Sequence, residues 1–171
     1  MPGRLHPFSC LVAALAFAAP SAAAASTTAN AGAQLGVLSP LSVIKKSDLN
    51  FGTVVTAATA GTVVLNPIGG TLTTTGGLTA VGTRAHAAVF TSTGSKNSIV
   101  IIRVPTAPIT LTRVGGTETM TASTWTLDGS ANRRIPANQT FDFAVGATLN
   151  VGAAQVSGTY VGTFQVTVQY P

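Results

Sequence analysis

The strongest constraint on the fold is an alternation of side chains at the C-terminus. In residues 159–170, one parity is apolar or aromatic apart from a single glycine, and the other parity is mostly polar. The apolar set consists of Tyr160, Gly162, Phe164, Val166, Val168 and Tyr170. Because successive side chains of a strand point to opposite faces of a sheet, this pattern predicts a half-buried β-strand with that set on its core face.

A second long strand is predicted over residues 140–151, where the same alternation occurs. Ser157 and Gly158 supply a turn signal between the two segments. We therefore expect residues 140–151 and 159–170 to pair as a long antiparallel hairpin.

The rest of the chain after residue 25 has the same β character. Thr, Val and Gly dominate, and apolar side chains do not recur at helical spacing. Residues 51–55 and 62–65 predict a further hairpin, and the apolar run at 98–104 predicts a central strand buried on both faces. The pattern predicts about nine to eleven strands, which favours two packed antiparallel sheets, a β-sandwich.

The N-terminus has the three parts of a secretory signal peptide. Arg4 precedes an apolar stretch at residues 8–19, and the small residues 22–25 follow it. The stretch is shorter than the roughly 20 residues that span a bilayer, which favours a cleaved signal over a membrane anchor. We expect residues 1–25 to be the signal, 26–38 an N-terminal extension or first strand, and 39–171 the β-sandwich domain.

Cleavage of the signal would remove the single cysteine, Cys10, and leave no transmembrane segment. The predicted location of the mature chain is the periplasm, the outer surface or the extracellular space. Its stability is then expected to depend on the apolar core rather than on disulfides or thiolate-bound zinc.

The mature sequence is poor in side chains that carry chemistry. It has one histidine, His86, and four acidic residues that are scattered along the chain: Asp48, Glu118, Asp128 and Asp142. No nucleophile motif, phosphate loop or metal-ligand spacing is present. Lys and Arg do not cluster with aromatic residues. We expect no enzyme activity, no catalytic residues, no cofactor or metal, and no nucleic-acid partner.

One segment near the predicted cleavage site suggests a role in assembly. Apolar side chains share one parity at Ala33, Leu35, Val37, Leu41 and Val43. Residues 31–38, the donor segment, would suit a strand that inserts into the groove of a neighbouring molecule. The same pattern also suits a first strand paired within its own domain, with Pro40 as a bend.

Several phrases along the chain resemble one bacterial exported family, the domain of unknown function 4402. They lie at residues 40–43, 48–52, 61–67, 88–94 and 145–152, and in the ending at 158–170. The resemblance implies an immunoglobulin-like sandwich exported by Gram-negative bacteria, with no agreed activity or catalytic residues. The ending, with Tyr160, Gly162 and Phe164, is also similar to the last strand of fimbrial subunits and spore-coat-U-type proteins. That similarity implies assembly by donor strands.

Two functions are therefore predicted. The first is a non-enzymatic exported structural protein, a fimbrial, pilin-like or surface-assembly subunit with a role such as cell adhesion. Its partners would be like subunits and a periplasmic chaperone/usher system. The alternative is a monomeric periplasmic or extracellular module that binds a glycan or peptide through loops around Arg84 and His86 or through Trp125. A buried Trp125 would weigh against this alternative.

Overall fold

The computed structural model describes residues 31–171. The predicted signal peptide and residues 26–30 of the extension lie outside this range. The regular structure of the described residues is entirely β, in antiparallel sheets, which confirms the predicted all-β class. The thirteen strands are β1 (Ser42–Ser47), β2 (Thr53–Val55), β3 (Gly61–Leu65), β4 (Leu72–Thr74), β5 (Thr79–Val81), β6 (Ala88–Thr93), β7 (Ile99–Arg103), β8 (Ile109–Arg113), β9 (Thr119–Leu127), β10 (Asn132–Arg134), β11 (Thr140–Val151), β12 (Tyr160–Val161) and β13 (Thr167–Gln169).

The largest sheet is built around β11. Its strand order is β1-β6-β11-β9-β8-β12, and β3, which carries β4, also pairs with β11. The first half of β11 pairs with β6 and the second half with β3, while β9 runs along the opposite edge. Gly146 lies where the β6 and β3 pairings meet, and a Cβ there would collide with the Leu65 carbonyl oxygen and Pro67. A side chain at this position would therefore push β3 away from β11.

Two smaller sheets complete the sandwich: β10-β7-β13 and β2-β5. The core consists of two apolar clusters, one around Phe51, Val63 and Leu149 and the other around Phe90 and Phe143. Trp125 packs against both clusters and so links them.

The predicted C-terminal hairpin is wrong. β11 pairs with β3, β6 and β9, whereas β12 pairs with β8 and β13 pairs with β7. The C-terminal segment leaves the large sheet after Val161 and joins the three-stranded sheet at Thr167, and residues 162–166 between them belong to no strand. The single strand predicted over residues 159–170 is therefore two strands, β12 and β13. This is one reason why the number of strands is higher than predicted. Alternation determines which face a side chain lies on, but not which strand lies alongside.

Two other local predictions also differ from the structure. The hairpin predicted from residues 51–55 and 62–65 does not form, because β2 pairs with β5 and β3 pairs with β11 and β4. In β7, Val100 and Ile102 are buried but Ile99 is 55% exposed, so the strand is buried on one face only. β7 is the centre of a narrow sheet that packs on the core from one side, and a continuous apolar run does not reveal this.

The chain divides into two units, Met1–Leu35 and Gly36–Pro171. In the first unit, residues 31–35 have no regular structure and are exposed. In the second, residues 36–41 lead irregularly into β1, and the sandwich follows.

Candidate strand-binding groove

An open groove of about 810 Å³ lies between two segments that are distant in sequence. One wall is formed by residues 48–56, which follow β1 and include β2, and the other by residues 158–164 of the C-terminal segment. The floor consists of apolar side chains from strands of the large sheet: Phe90, Leu111, Met120, Trp125, Leu149 and Val151. The volume falls within the ~300–1,000 Å³ of pockets that enclose small ligands, so several aliphatic side chains would fit.

In both walls of the groove, part of the backbone is not hydrogen-bonded to a neighbouring strand. Tyr160 and Val161 pair with β8 on one side, and residues 162–166 continue outside any strand. Gly162 lets this segment lie against β8, because a Cβ there would be 2.7 Å from the Thr110 carbonyl oxygen. On the other wall, Asn50 makes an isolated bridge with His86. Unpaired backbone N–H and C=O groups at a sheet edge favour the addition of a further strand.

One end of the groove is built from aromatic side chains. Phe164 packs on Trp125 with ring centroids 4.6 Å apart, and it meets Phe90 edge to face at 6.3 Å. Phe90 in turn stacks on Phe143 at 5.3 Å. Trp125 is half-buried, and its indole Nε1 is buried without a hydrogen-bond partner among residues 31–171. These contacts hold the C-terminal wall against the core at Phe164.

The four acidic side chains are each paired with a different cation. Lys45 pairs with Asp48 at the groove wall, and the other three pairs are Lys46 with Asp142, Arg113 with Glu118, and Arg133 with Asp128. Each of the four carboxylates thus has its own cation. Of the four pairs, only Lys45–Asp48 lines the groove, so the apolar floor carries no ion pair.

Two of these pairs lower the pKa of their carboxyl group. Hydrogen bonds from Lys46 Nζ at 2.7 Å and from Thr91 Oγ1 at 2.6 Å lower the pKa of Asp142. The hydrogen bond from Arg113 Nε at 2.6 Å lowers the pKa of Glu118. Both carboxylates are therefore held in the charged form by their partners.

The residues of the predicted C-terminal core face occupy different places in the structure. Half-buried side chains alternate with exposed ones from Tyr160 to Tyr170, apart from Gly162, which is exposed. Tyr160, Gly162 and Phe164 line the groove. Phe164, Val166 and Val168 pack against the core cluster around Phe143.

The predicted assembly residues fall into two groups. Ala33 is exposed, and Leu35 and Val37 are 86% and 84% exposed, so all three lie outside the core. Leu41 is half-buried at the start of the sandwich, and Val43 lies in β1 with 36% of its surface exposed. Apolar side chains of the same parity therefore occur both in the exposed residues 33–37 and in β1.

The residues proposed for the alternative ligand site are not brought together as one cluster in the groove. Trp125 is in the floor, whereas Arg84 and His86 are exposed and are not among the groove-lining residues. Sequence reasoning did not identify the floor residues, because apolar residues in alternating strands are typical of any sandwich core. The interrupted pairing at residues 162–166 has no sequence signal beyond the glycine at 162.

Residues 31–171 include no helix long and apolar enough to cross a membrane. Within the same range, no three His, Cys, Asp or Glu side chains are grouped so that they could hold a metal ion.

The fold and the groove define the class of protein: an antiparallel β-sandwich with an open groove over an apolar floor. Residues 41–170 match the family described as a domain of unknown function (DUF4402), and the chain belongs to that family, as its sequence phrases predicted. No curated protein and no solved structure matches the chain.

Proposed function

We propose that this protein is an exported, non-enzymatic structural subunit that assembles with copies of itself. In this proposal the donor segment of one subunit fills the groove of the next as an added strand. The observation that carries the proposal is the coexistence, in one chain, of an open groove with an apolar floor and an exposed segment with alternating apolar side chains. The four separately paired carboxylates and the exposed His86 support a role without catalysis.

The donor segment fits the groove in chemistry and in length. Leu35 and Val37 would face the floor, while Gln34 and Gly36 would face outward. At about 3.3 Å per residue, residues 31–38 extend roughly 26 Å and the wall at 158–164 roughly 23 Å. Burial of Leu35 and Val37 would contribute roughly 1.5–3 kcal/mol each, and the backbone would pair with the open walls.

The topology favours a neighbour's donor segment over the subunit's own. The Ser39 N–H donates to Ser95 Oγ, and Ser42 pairs with Thr93. Residues 48–56, which form this wall of the groove, follow the end of β1 at Ser47, and Lys45 within β1 also lines the groove. To lie along residues 48–56 of its own subunit, the donor segment would have to turn back along β1, about 20 Å or six residues.

Folding back would therefore misplace the apolar side chains. Residues 33–38 would be used to span β1, and Leu35 and Val37 would lie beside that strand. The residues that would then lie along the wall at 48–56 are 26–32, and they include no large apolar side chain. Insertion into a second molecule would place both Leu35 and Val37 over the floor.

Donor and acceptor lie at opposite ends of β1, so each subunit offers one of each. Such a heterologous, head-to-tail contact produces an open chain of subunits unless its rotation closes a ring. Like subunits are the partners in this proposal, and the similarity of the ending to fimbrial subunits adds a periplasmic chaperone and an outer-membrane usher as expected assembly factors.

The test compares the purified exported chain with Leu35→Asp and Val37→Asp variants. The native chain should give a ladder of oligomers on mildly denaturing gels and extended particles by electron microscopy. Each aspartate variant should be monomeric, because a carboxylate would be desolvated against the apolar floor. Gln34→Asp is the matched control, since it adds the same charge on the opposite parity, and it should keep the ladder.

A stable monomer whose residues 26–38 are protected from hydrogen exchange would contradict the proposal and show pairing within one chain. A monomer with those residues unprotected, binding an unrelated peptide or glycan with a change in Trp125 emission, would instead support the ligand-binding alternative.

A further inference from the structure

The point where the donor segment leaves the sandwich is held by a side chain from the other end of the sequence. The Tyr170 hydroxyl donates to the Ser39 carbonyl oxygen at 2.8 Å and accepts from the Ser95 N–H at 2.8 Å. Ser95 Oγ accepts in turn from the Ser39 N–H. These contacts, called the exit clamp below, join residue 39, the turn after β6 and the C-terminal segment.

The absence of a side chain at Gly94 leaves room for the Tyr170 hydroxyl in the exit clamp. Gly94 is buried, and a Cβ there would lie 2.9 Å from the Tyr170 hydroxyl oxygen and 2.7 Å from both Leu41 Cδ2 and Ile135 Cδ1. Tyr170 itself is half-buried, which limits the access of water that would compete for its hydrogen bonds. The clamp is therefore part of the packed domain.

The exit clamp and the groove are at opposite ends of one segment. Residues 158–164 form a groove wall, and Tyr170 closes the clamp a few residues further along. A subunit that receives a strand at one end of this segment thus holds its own departing strand at the other end.

We infer that Tyr170 is a positioning residue that sets the direction in which the donor segment leaves the domain. The inference rests on the proposed assembly for its biological purpose, but the orienting role can be measured in a monomer. With both hydrogen bonds to residue 39 in place, the peptide planes on either side of that residue are tied to the core, and rotation there is restricted. A restricted exit gives successive subunits a constant angle and gives the donor segment a lower entropic cost of ordering.

The experiment measures the spread of the exit direction in the exported chain. Spin labels are attached at Val37→Cys and Thr126→Cys, and their distance distribution is recorded by pulsed electron paramagnetic resonance. The label at position 37 also prevents insertion of the donor segment, so the measurement is made on monomers. Tyr170→Phe keeps the ring and removes the hydroxyl, and Ser95→Ala removes the acceptor of the Ser39 N–H.

The population outside the main distance peak should rise roughly five-fold in Tyr170→Phe, which corresponds to the loss of one ordinary hydrogen bond. Ser95→Ala should change it in the same direction. Tyr160→Phe is the matched control, because the Tyr160 hydroxyl bonds only Gln155 and Val156 among the described residues, and its distance distribution should match that of the unsubstituted pair.

Distance distributions that are unchanged in both Tyr170→Phe and Ser95→Ala would overturn the inference, whether or not the chain polymerises. If the distributions broaden but the native chain forms no oligomers, the exit clamp stands and the proposed assembly fails. Where oligomers form, electron microscopy of Tyr170→Phe without labels should show a wider spread of angles between subunits than the native chain.

Discussion

Truncation of Leu35 to alanine tests the groove and its occupant together. Leu35 is 86% exposed in the isolated chain and would be covered on insertion. The substitution removes three carbons at about 0.8 kcal/mol each, a loss of ~2.4 kcal/mol or about 50-fold in the dissociation constant. Val37→Ala removes two carbons and should weaken binding about 15-fold.

The assay uses the single tryptophan of the chain as its reporter. Trp125 lies in the groove floor, so an inserted strand would exclude water near it and shift its emission to shorter wavelength. A peptide of residues 31–41 is titrated into the Leu35→Asp, Val37→Asp double variant, whose own donor segment does not compete. The same titration with the Leu35→Ala peptide gives the ratio of affinities.

A Gln34→Ala peptide is the control, because position 34 is on the opposite parity and should bind within about two-fold of the native peptide. Equal affinities for the native and Leu35→Ala peptides would refute the assignment of Leu35 to the floor. An equal loss for Gln34→Ala and Leu35→Ala would refute insertion as a strand with one buried face.

Three further predictions concern the sandwich itself. Ser92 is fully buried and its hydroxyl has no hydrogen-bond partner among residues 31–171, so Ser92→Ala should raise the free energy of unfolding by about 1 kcal/mol in urea denaturation. Lys46 and Thr91 lower the pKa of Asp142, so its stabilising contribution is complete above the unfolded pKa near 4 and is lost as the pH falls through the lower folded pKa. Asp142→Asn should therefore lower the urea midpoint at pH 7, with the deficit shrinking below about pH 4. Gly94→Ala should lower the free energy of unfolding by about 1–3 kcal/mol, because the new methyl group overlaps packed neighbours.

A different outcome would contradict each of these three predictions. A destabilised Ser92→Ala would indicate that its hydroxyl is hydrogen-bonded. A deficit of Asp142→Asn that persists unchanged at pH 3 would show that the substitution acts through something other than the carboxylate charge. Gly129→Ala is the control for Gly94→Ala, since a Cβ at 129 comes no nearer than 3.4 Å to Arg133 Nη2, and it should be close to neutral.

Period-two alternation predicted the β class and the sidedness of several strands without further information. The alternation in residues 140–151 places Phe143, Val145 and Leu149 on one face, and all three are buried in β11. The neighbours of that strand were not predicted. β11 lies between β9 on one edge and β6 and β3 on the other, and only contacts across long sequence separations decide this arrangement.

In the C-terminal segment at the candidate site, the sequence again predicted the buried face but not the neighbouring strands. Alternation at Phe164, Val166 and Val168 was visible in the sequence, whereas the crossing from β8 to β7 was not. That crossing leaves residues 162–166 outside any strand and opens one wall of the groove. The alternation of side chains predicts which face of a strand is buried. It does not predict whether the backbone at the edge of that strand is paired.

The sequence by itself therefore determined an all-β chain, its family, and the shared parity of the apolar side chains at residues 33, 35 and 37. Those properties follow from local periodicity and from phrases that can be compared directly. Only the tertiary structure decided that residues 48–56 and 158–164, separated by about a hundred positions, would flank an open groove over the core. The groove is a gap between two segments whose positions depend on strand pairings elsewhere in the sheets, so no single stretch of sequence encodes it.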